Sequence, residues 1–239
     1  MSVSYLKKYT NLIYQLFNYN LKIVFANKFI FFLLAAVGFY LLITIINLFK
    51  ADAYVSQDEV YALLLFPGLL VIFYPTTFGI QNDMDTRMIE VLFGIPDYRY
   101  KVWLTRLAII FVVVYFVLLM LGIVSSLALI PVPFFEMALQ LMFPIFLMGS
   151  VGFMFSTLIR NGSGTAAVMI IIGLIFWISS GIMDISKWNI FLNPYDMPDN
   201  LNPIMWSEVL FYNRLYLTIG SILAILAGLY RLQYREKYV

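Results

Sequence analysis

Six long apolar stretches constrain the fold of this chain more than any other feature of its sequence. They cover residues 29–49, 60–82, 107–130, 136–159, 164–183 and about 209–230. A helix needs roughly 20 apolar residues to cross the hydrocarbon core of a bilayer. The first five stretches meet that length, and the sixth meets it if the Arg214 side chain snorkels outward. We therefore predict an all-α integral membrane protein in which residues 1–239 form one domain of six transmembrane helices.

The composition also indicates a membrane protein, and it excludes chemistry that depends on cysteine or histidine. The chain is 63% hydrophobic and 12% charged, whereas soluble domains are about half apolar and about a quarter charged. It contains no cysteine and no histidine, which excludes disulfides, thiolate metal sites and nucleophiles that depend on a histidine base. The net charge of +2, without a basic run, gives no reason to expect a nucleic-acid partner.

The charges between the stretches predict the direction of the spans. With six spans both termini lie on one side, and that side carries twelve of the fifteen lysines and arginines. These are Lys7, Lys8, Lys22, Lys28, Arg87, Arg99, Lys101, Arg106, Arg160, Arg231, Arg235 and Lys237. The other side carries Lys50, Lys187 and Arg214. Because cytoplasmic loops are enriched in these residues, we expect both termini in the cytoplasm of a plasma membrane, which in bacteria is the inner membrane.

The N-terminal residues are predicted to form an amphipathic helix at the membrane surface, over 5–27. At helical spacing Lys7 and Lys22 fall on one arc, and Leu6, Ile13 and Val24 fall on the opposite arc. Such a helix lies in the headgroup plane with its lysines facing anionic lipid. The alternative is a juxtamembrane stretch that frays into water.

The loop between the second and third spans carries the most specific pattern in the chain. Ile89, Leu92 and Phe93 recur at helical spacing, and Pro96 stops the run. This predicts a short amphipathic helix on the cytoplasmic face. The alternative is a loop whose charges only meet solvent and orient the spans.

This loop resembles the first cytoplasmic loop of the type 2 permeases of ATP-binding cassette (ABC) exporters, which reads E-x-L-L-x-x-P-x-S-R. The chain matches that pattern at Glu90, Leu92, Pro96 and Arg99. It has Phe93 in place of the second leucine and departs at Arg87, Met88 and Tyr98, where Gly, Thr and Ser are usual. The six spans, the N-terminal amphipathic helix and the long outer segment before the last span also match, so the resemblance covers nearly the whole chain.

The resemblance implies a permease subunit whose loop is a coupling helix seated in a groove of a cytoplasmic ABC ATPase. The residues it assigns to coupling are Asp85, Glu90, Leu92, Phe93, Pro96 and Arg99. The implied function is export of an apolar or amphipathic cargo from the cytoplasm or inner leaflet, together with a second permease, identical or related. The chain lacks a phosphate loop, so ATP and Mg are expected on the partner ATPase. We predict no catalytic residue, cofactor or metal site in this chain.

The outer segment between the fifth and sixth spans is predicted to close the exit. Its prolines and asparagines break helices, and its tryptophans favour the membrane interface. In the ABC family this region resembles a re-entrant hairpin that dips into the outer leaflet, and the alternative is a plain amphipathic loop. The candidate gate residues are Asp184, Trp188, Trp206, Glu208 and Arg214. We expect Asp184 and Glu208 to neutralise Arg214.

The sixth span carries small residues four apart, at Gly220, Ala224 and Gly228. Small residues at this spacing let two helices approach closely. The partner is either another helix of the same chain or a second subunit.

Two other classes of function compete with the exporter. A self-contained channel or ion-coupled carrier usually needs ionisable residues inside the membrane, and the apolar stretches offer none at their centres. A scaffold or membrane enzyme is disfavoured by the missing histidine and cysteine.

Overall fold

The computed structural model describes residues 29–49, 55–87, 99–183 and 186–233, without the side chains of Arg99 and Lys101. These residues form helices joined by turns and loops, and no strand occurs among them. The helices are α1 (Phe29–Phe49), α2 (Gln57–Asp85), α3 (Thr105–Ala128), α4 (Phe134–Ile159), α5 (Gly162–Ile182) and α6 (Pro203–Arg231). A π-helix, Arg99–Leu104, leads directly into α3. The predicted interfacial helix 5–27 lies outside the described residues.

All six α-helices are long and apolar enough to cross a bilayer. The shortest have 21 residues, and at a rise of 1.5 Å per residue they reach roughly 32 Å. The hydrocarbon core is about 30 Å thick, so each helix can span it. The predicted all-helical fold, with six helices long and apolar enough to span a membrane, is confirmed for the described residues.

The two central helices are α2 and α4. α2 packs against α1, α3, α4 and α5, and α4 packs against α2, α3, α5 and α6. Half of the most apolar window of α2 and of α4 is buried, against 11% for α5. The outer helices therefore present most of their apolar surface away from the described chain, as lipid-facing helices do.

Two glycines on α4 let it approach α2 closely. A Cβ atom at Gly149 would lie 2.7 Å from Ile72, and one at Gly152 would lie 2.9 Å from the Thr76 hydroxyl. Both distances are shorter than van der Waals contact, so a larger residue would push the two helices apart. Small residues at helix contacts are the usual means of close packing in membranes, because lipid supplies no hydrophobic force between helices.

Proline occurs inside the central helices, at Pro67 and Pro75 of α2 and at Pro144 of α4. Proline lacks the N–H that a helix interior needs. Next to Pro75, the Thr76 hydroxyl donates to the Ile72 carbonyl at 2.8 Å, and the Thr77 hydroxyl donates to the Phe73 carbonyl at 2.6 Å. These hydroxyls supply donors in the turn that proline disrupts, which is how membrane helices tolerate proline.

α4 and α5 are joined by Arg160 and Asn161 alone. The sequence predicts a tight turn over 161–164, but Gly162, Ser163 and Gly164 already belong to α5. The Asn161 side chain accepts hydrogen bonds from the N–H groups of Ser163 and Gly164 and so caps the helix. The chain reverses at Arg160, whose φ of 61° is left-handed.

α6 begins at Pro203, six residues before the predicted start at 209. The Asn202 side chain accepts a hydrogen bond from the Ile204 N–H at 3.1 Å, and proline occupies the first helical position. Arg214 lies eleven residues inside the helix and is buried, so it neither limits the span nor snorkels outward.

The small residues of α6 face α4 of the same chain. A Cβ atom at Gly228 would lie 2.7 Å from the Phe153 ring, and one at Gly220 would lie 3.2 Å from Leu147. Ala224, between them, is buried. Of the two alternatives for this stripe, the structure therefore places it in packing within the chain.

Candidate functional site

Arg214 is a charged side chain buried within a transmembrane helix, with 7% of its surface exposed. Its Nε donates to the Gln140 side chain on α4 at 2.9 Å, one terminal nitrogen donates to the Asn213 side chain at 3.0 Å, and the other donates to the Leu192 carbonyl at 3.2 Å. Its guanidinium also lies 5.4 Å from the centre of the Phe143 ring. An arginine inside a membrane helix costs about 3 kcal/mol, and these contacts offset that cost.

Arg214 and its neighbour hold the outer segment, residues 186–202, against the outer ends of α2 and α6. The Asn213 amide donates to the carbonyls of Lys187 and Asn189 at 2.9 and 2.7 Å. The Asn193 amide donates to the Asp58 carbonyl near the start of α2 at 2.9 Å. The outer segment consists of turns and irregular backbone, so side chains rather than regular structure position it.

The two gate tryptophans occupy different environments. The Trp206 ring is 5% exposed, and its N–H donates to the Pro194 carbonyl at 3.1 Å. Trp188 is exposed and stacks on Tyr216 of α6, with ring centres 4.4 Å apart. Both rings fasten the outer segment to α6.

The expected neutralisation of Arg214 by Glu208 is wrong. Glu208 is exposed on the first turns of α6, and within the described chain the one ion pair with given geometry joins Arg106 to Asp83. Glu208 lies six residues before Arg214, so the two side chains project from different sides of the helix. Asp184 lies outside the described residues.

Two tyrosines with buried hydroxyls adjoin Arg214. The hydroxyl of Tyr61 on α2 is buried, and Arg214 is its charged neighbour. The hydroxyl of Tyr195 in the outer segment is also buried. Burial raises the pKa of Tyr195 to about 12, with Glu136 and Tyr61 acting in the same direction and Arg214 opposing them. The hydroxyls of Tyr61 and Tyr195 and the permanent cation of Arg214 therefore form a polar group that we call the outer cluster.

A buried ion pair joins the C-terminal end of α2 to the N-terminal end of α3. The Arg106 guanidinium donates to the Asp83 carboxylate at 2.6 Å, and the two side chains are 7% and 6% exposed. The Arg106 guanidinium also lies 4.8 Å from the centre of the Trp103 ring. Sequence reasoning missed this pair. A signal was present in the sequence, because Asp83 and Arg106 carry opposite charges at the two helix ends that the loop joins.

The C-terminal end of α2 is also bonded to the end of α4 and the start of α5. The Gln81 side chain accepts a hydrogen bond from the Gly162 N–H and donates to Asp85 at 3.3 Å. The Ser156 hydroxyl donates to the Thr77 carbonyl at 3.2 Å. The loop after α2 therefore starts from an end that is fixed to three other helices.

The structure places two of the predicted coupling residues and leaves four undescribed. Asp85 is the last residue of α2 and is exposed, and Arg99 begins the π-helix. The four coupling residues that lie outside the described residues are Glu90, Leu92, Phe93 and Pro96. Their assignment stays a prediction.

An apolar groove of about 780 Å³ lies between α2 and α5. It reaches along α2 from Ala62 to Thr76, a distance of roughly 21 Å at 1.5 Å per residue. Its walls include Phe66 and Phe73 of α2 and Trp177 of α5, and none of its lining residues is charged. Its volume lies within the range of small-molecule sites, about 300–1,000 Å³. We call it the α2–α5 groove.

The fold and these features define a multi-pass, all-helical membrane protein. No protein-family model matches the chain, and neither a curated protein nor a solved structure is similar to it. Function therefore has to be argued from the sites described above.

Proposed function

We propose that this chain is the transmembrane permease subunit of an ATP-binding cassette exporter of the type 2 class. It moves an apolar or amphipathic cargo out of the cytoplasm or inner leaflet, using ATP hydrolysed by a cytoplasmic partner. In this proposal the loop 88–98 docks on the ATPase, the helix 5–27 lies on the inner surface, and the outer segment gates the exit.

The observation that carries the proposal is the pattern Glu90, Leu92, Pro96 and Arg99 between two helices whose ends are rigidly joined. An ATPase outside the membrane has to act on a stiff lever attached to spans. The buried Asp83–Arg106 pair and the Gln81–Gly162 hydrogen bond stiffen the base of this loop. A loop that only connected two helices would not need desolvated charges at its base, because burying charges is costly.

The α2–α5 groove supports the nature of the cargo. Its lining is uncharged, so it suits an alkyl chain or a ring system rather than an ion. Its two hydroxyls are already used, since Ser180 bonds to Asn189 and Thr76 bonds to its own helix. An apolar group therefore enters without leaving a polar partner unsatisfied.

Purification of the chain with its natural partners tests the proposed function. We expect a soluble ATPase with a phosphate loop to accompany the chain, and we expect Glu90→Ala and Leu92→Asp to weaken that association. Glu59→Gln, at the exposed outer end of α2, serves as the control and leaves the association intact. Movement of cargo by the purified chain alone, without any nucleotide-hydrolysing companion, would contradict the proposal.

The groove supplies a separate prediction about cargo. Gly173 lines the groove, and a Cβ atom there meets only the end of Met148 at 3.8 Å, so Gly173→Phe fills the groove without disturbing the helices. We expect at least about tenfold lower uptake of a fluorescent alkyl amphiphile into vesicles, the size of a lost apolar anchor. Gly181→Phe is the matched control on the same helix, because nothing lies within 4 Å of its Cβ position. Equal transport by both variants would place the cargo elsewhere.

An ion-coupled carrier remains the second candidate, and one observation favours it. Arg214 and the Asp83–Arg106 pair are ionisable groups buried within helices that cross the membrane, and such groups often mark ion pathways. Transport that follows an imposed ion gradient in the absence of nucleotide would select this candidate over the exporter.

A further inference from the structure

The cytoplasmic ends of α2 and α3 are joined by one bond between residues that are distant in sequence. Asp83 stands two residues before the end of α2, and Arg106 is the second residue of α3. They lie 23 residues apart along the chain, and their charged atoms are 2.6 Å apart. Both ends of the loop 88–98 therefore emerge from a single fixed point.

Because the Asp83–Arg106 pair is buried, the geometry it imposes on the two helices matters more than the stability it adds. In water an ion pair adjusts freely, but a desolvated pair holds only when the geometry is good. An apolar pair of similar size would pack these helix ends equally well or better. What charges add is one defined alignment of α2 against α3, a role that buried polar groups are known to fill.

Arg106 also connects the pair to α4 and α6 through two aromatic rings. Its guanidinium lies over the Trp103 ring in the π-helix, and the Trp103 and Phe153 ring centres are 6.4 Å apart. Phe153 belongs to α4, and a Cβ atom at Gly228 of α6 would lie 2.7 Å from its ring. π-helical turns are rare and recur at functional sites, and this one carries the ring that links α3 to α4 and α6.

We propose that Asp83 and Arg106 are positioning residues that join α2 and α3 into one lever, and that Trp103 and Phe153 transmit its displacement to α4 and α6. This inference rests on the proposed function, because the displacement is supplied by an ATPase acting on the loop. It adds the path along which that displacement reaches the outer half of the protein, where α6 carries Arg214 and holds the outer segment.

Spin labels measure the lever directly, without an ATPase. The chain has no cysteine, so labels attach only to introduced ones, at the exposed positions Thr86 on the α2 side and Leu104 on the α3 side. We expect a narrow distribution of label distances in the otherwise unchanged protein and a broad one in Asp83→Asn. Glu59→Gln, at the opposite end of α2, keeps the narrow distribution. An unchanged distribution of label distances in Asp83→Asn would contradict the proposal that this pair joins α2 to α3.

Transport per ATP hydrolysed tests whether the lever transmits force. We expect Asp83→Asn to retain the ATPase and its hydrolysis but to lower this ratio about tenfold, as the loss of a coupling free energy does. If Asp83→Asn fails to fold, the double substitution Asp83→Leu with Arg106→Met restores packing without the directed bond and should show the same loss. A normal ratio in a folded variant would overturn the proposal. If no ATPase accompanies the chain, the proposed function fails, while the label distances still decide whether the pair joins α2 to α3.

Discussion

At the scale of single residues, the positions that matter most are buried polar groups whose partners come from other helices. Arg214 is satisfied by a glutamine, an asparagine and a backbone carbonyl. Asp83 is satisfied by Arg106. In an apolar interior each of these bonds fixes position, because breaking it leaves a polar group without water to replace the lost partner.

Arg214→Lys tests whether the planar fork of arginine is needed. A lysine carries a single nitrogen and cannot reach Gln140, Asn213 and Leu192 at once from a rigid fork. We expect the free energy of unfolding in detergent to fall by about 1–3 kcal/mol, the cost of leaving buried groups unpaired. Lys187→Ala is the control, because that side chain is exposed and should change stability by no more than about 0.5 kcal/mol. Equal stability of the arginine and lysine proteins would show that charge alone suffices.

Tyr195 predicts a dependence of stability on pH. Burial raises its pKa to about 12 from an ordinary value of 10.0. The folded protein therefore holds this proton more tightly than the unfolded chain does. The stabilising contribution is complete below about pH 10 and is lost as the pH rises toward about 12.

Tyr195→Phe removes this titration, so its free energy of unfolding should fall less steeply than that of the unchanged protein over the same alkaline range. Tyr212→Phe, at an exposed tyrosine of α6, is the matched control and should follow the unchanged protein. Parallel curves for all three proteins would contradict the assignment.

At the scale of helices, close contacts between small residues decide which surfaces meet. α4 meets α2 at Gly149 and Gly152 and meets α6 at Gly228. α5 makes such a contact at its first residue, since a Cβ atom at Gly162 would overlap the Phe78 ring of α2, and only 11% of its apolar window is buried. Gly173 and Gly181 of α5 have no close neighbour, so close packing depends on whether a glycine faces another helix and not on how many glycines a helix contains.

Gly228→Leu should separate α4 from α6. A Cβ atom at this position already lies 2.7 Å from the Phe153 ring, so a leucine cannot be accommodated without a shift of the backbone. We expect the free energy of unfolding to fall by about 1–3 kcal/mol. Gly38→Leu on α1 is the control, since nothing lies within 4 Å of its Cβ position. Because this contact is within one chain, subunit counting should give the same number for both variants, and a change confined to Gly228→Leu would assign the stripe to a subunit interface.

The helices themselves could be predicted from sequence because hydropathy and length act locally. The start of α6 could not, since it depends on the Asn202 cap and on where Arg214 finds partners. The Asp83–Arg106 pair depends on how two helices meet around a loop, and the π-helix at Arg99–Leu104 has no sequence pattern of its own. The contacts that hold the outer segment come from Asn189, Asn193 and Asn213, whose amides gave no signal in the sequence beyond breaking helices.

At the scale of the whole molecule, the polar features lie at opposite ends of one apolar body. The outer cluster surrounds Arg214 at one end, the Asp83–Arg106 pair lies at the other end, and α2, α4 and α6 run between them. The α2–α5 groove opens along the side of this body. This arrangement suits a protein in which a movement on one side of the membrane changes access on the other.

The direction of the chain in the membrane remains a prediction from loop charges, and introduced cysteines test it. Ser163, exposed at the start of α5, is predicted to be cytoplasmic, and Met197, exposed in the outer segment, is predicted to be outside. We expect a membrane-impermeant maleimide to label Met197→Cys in intact cells and to label Ser163→Cys only after permeabilisation. The reverse pattern would invert the protein and remove the cytoplasmic loop from reach of an ATPase.

The contacts of Arg214 also bear on how the protein is synthesised. α6 leaves the ribosome after the other five described helices, and it carries a charge that an isolated membrane helix accepts only at a cost of about 3 kcal/mol. By then Gln140 and the Leu192 carbonyl, which bind that charge, have already been translated. A chain truncated before α6 would leave those acceptors without their donor, and α6 inserted alone would lack its acceptors. Stable insertion of α6 therefore depends on the correct folding of the five helices and the outer segment that precede it, because Gln140 and Leu192 supply acceptors for its charge.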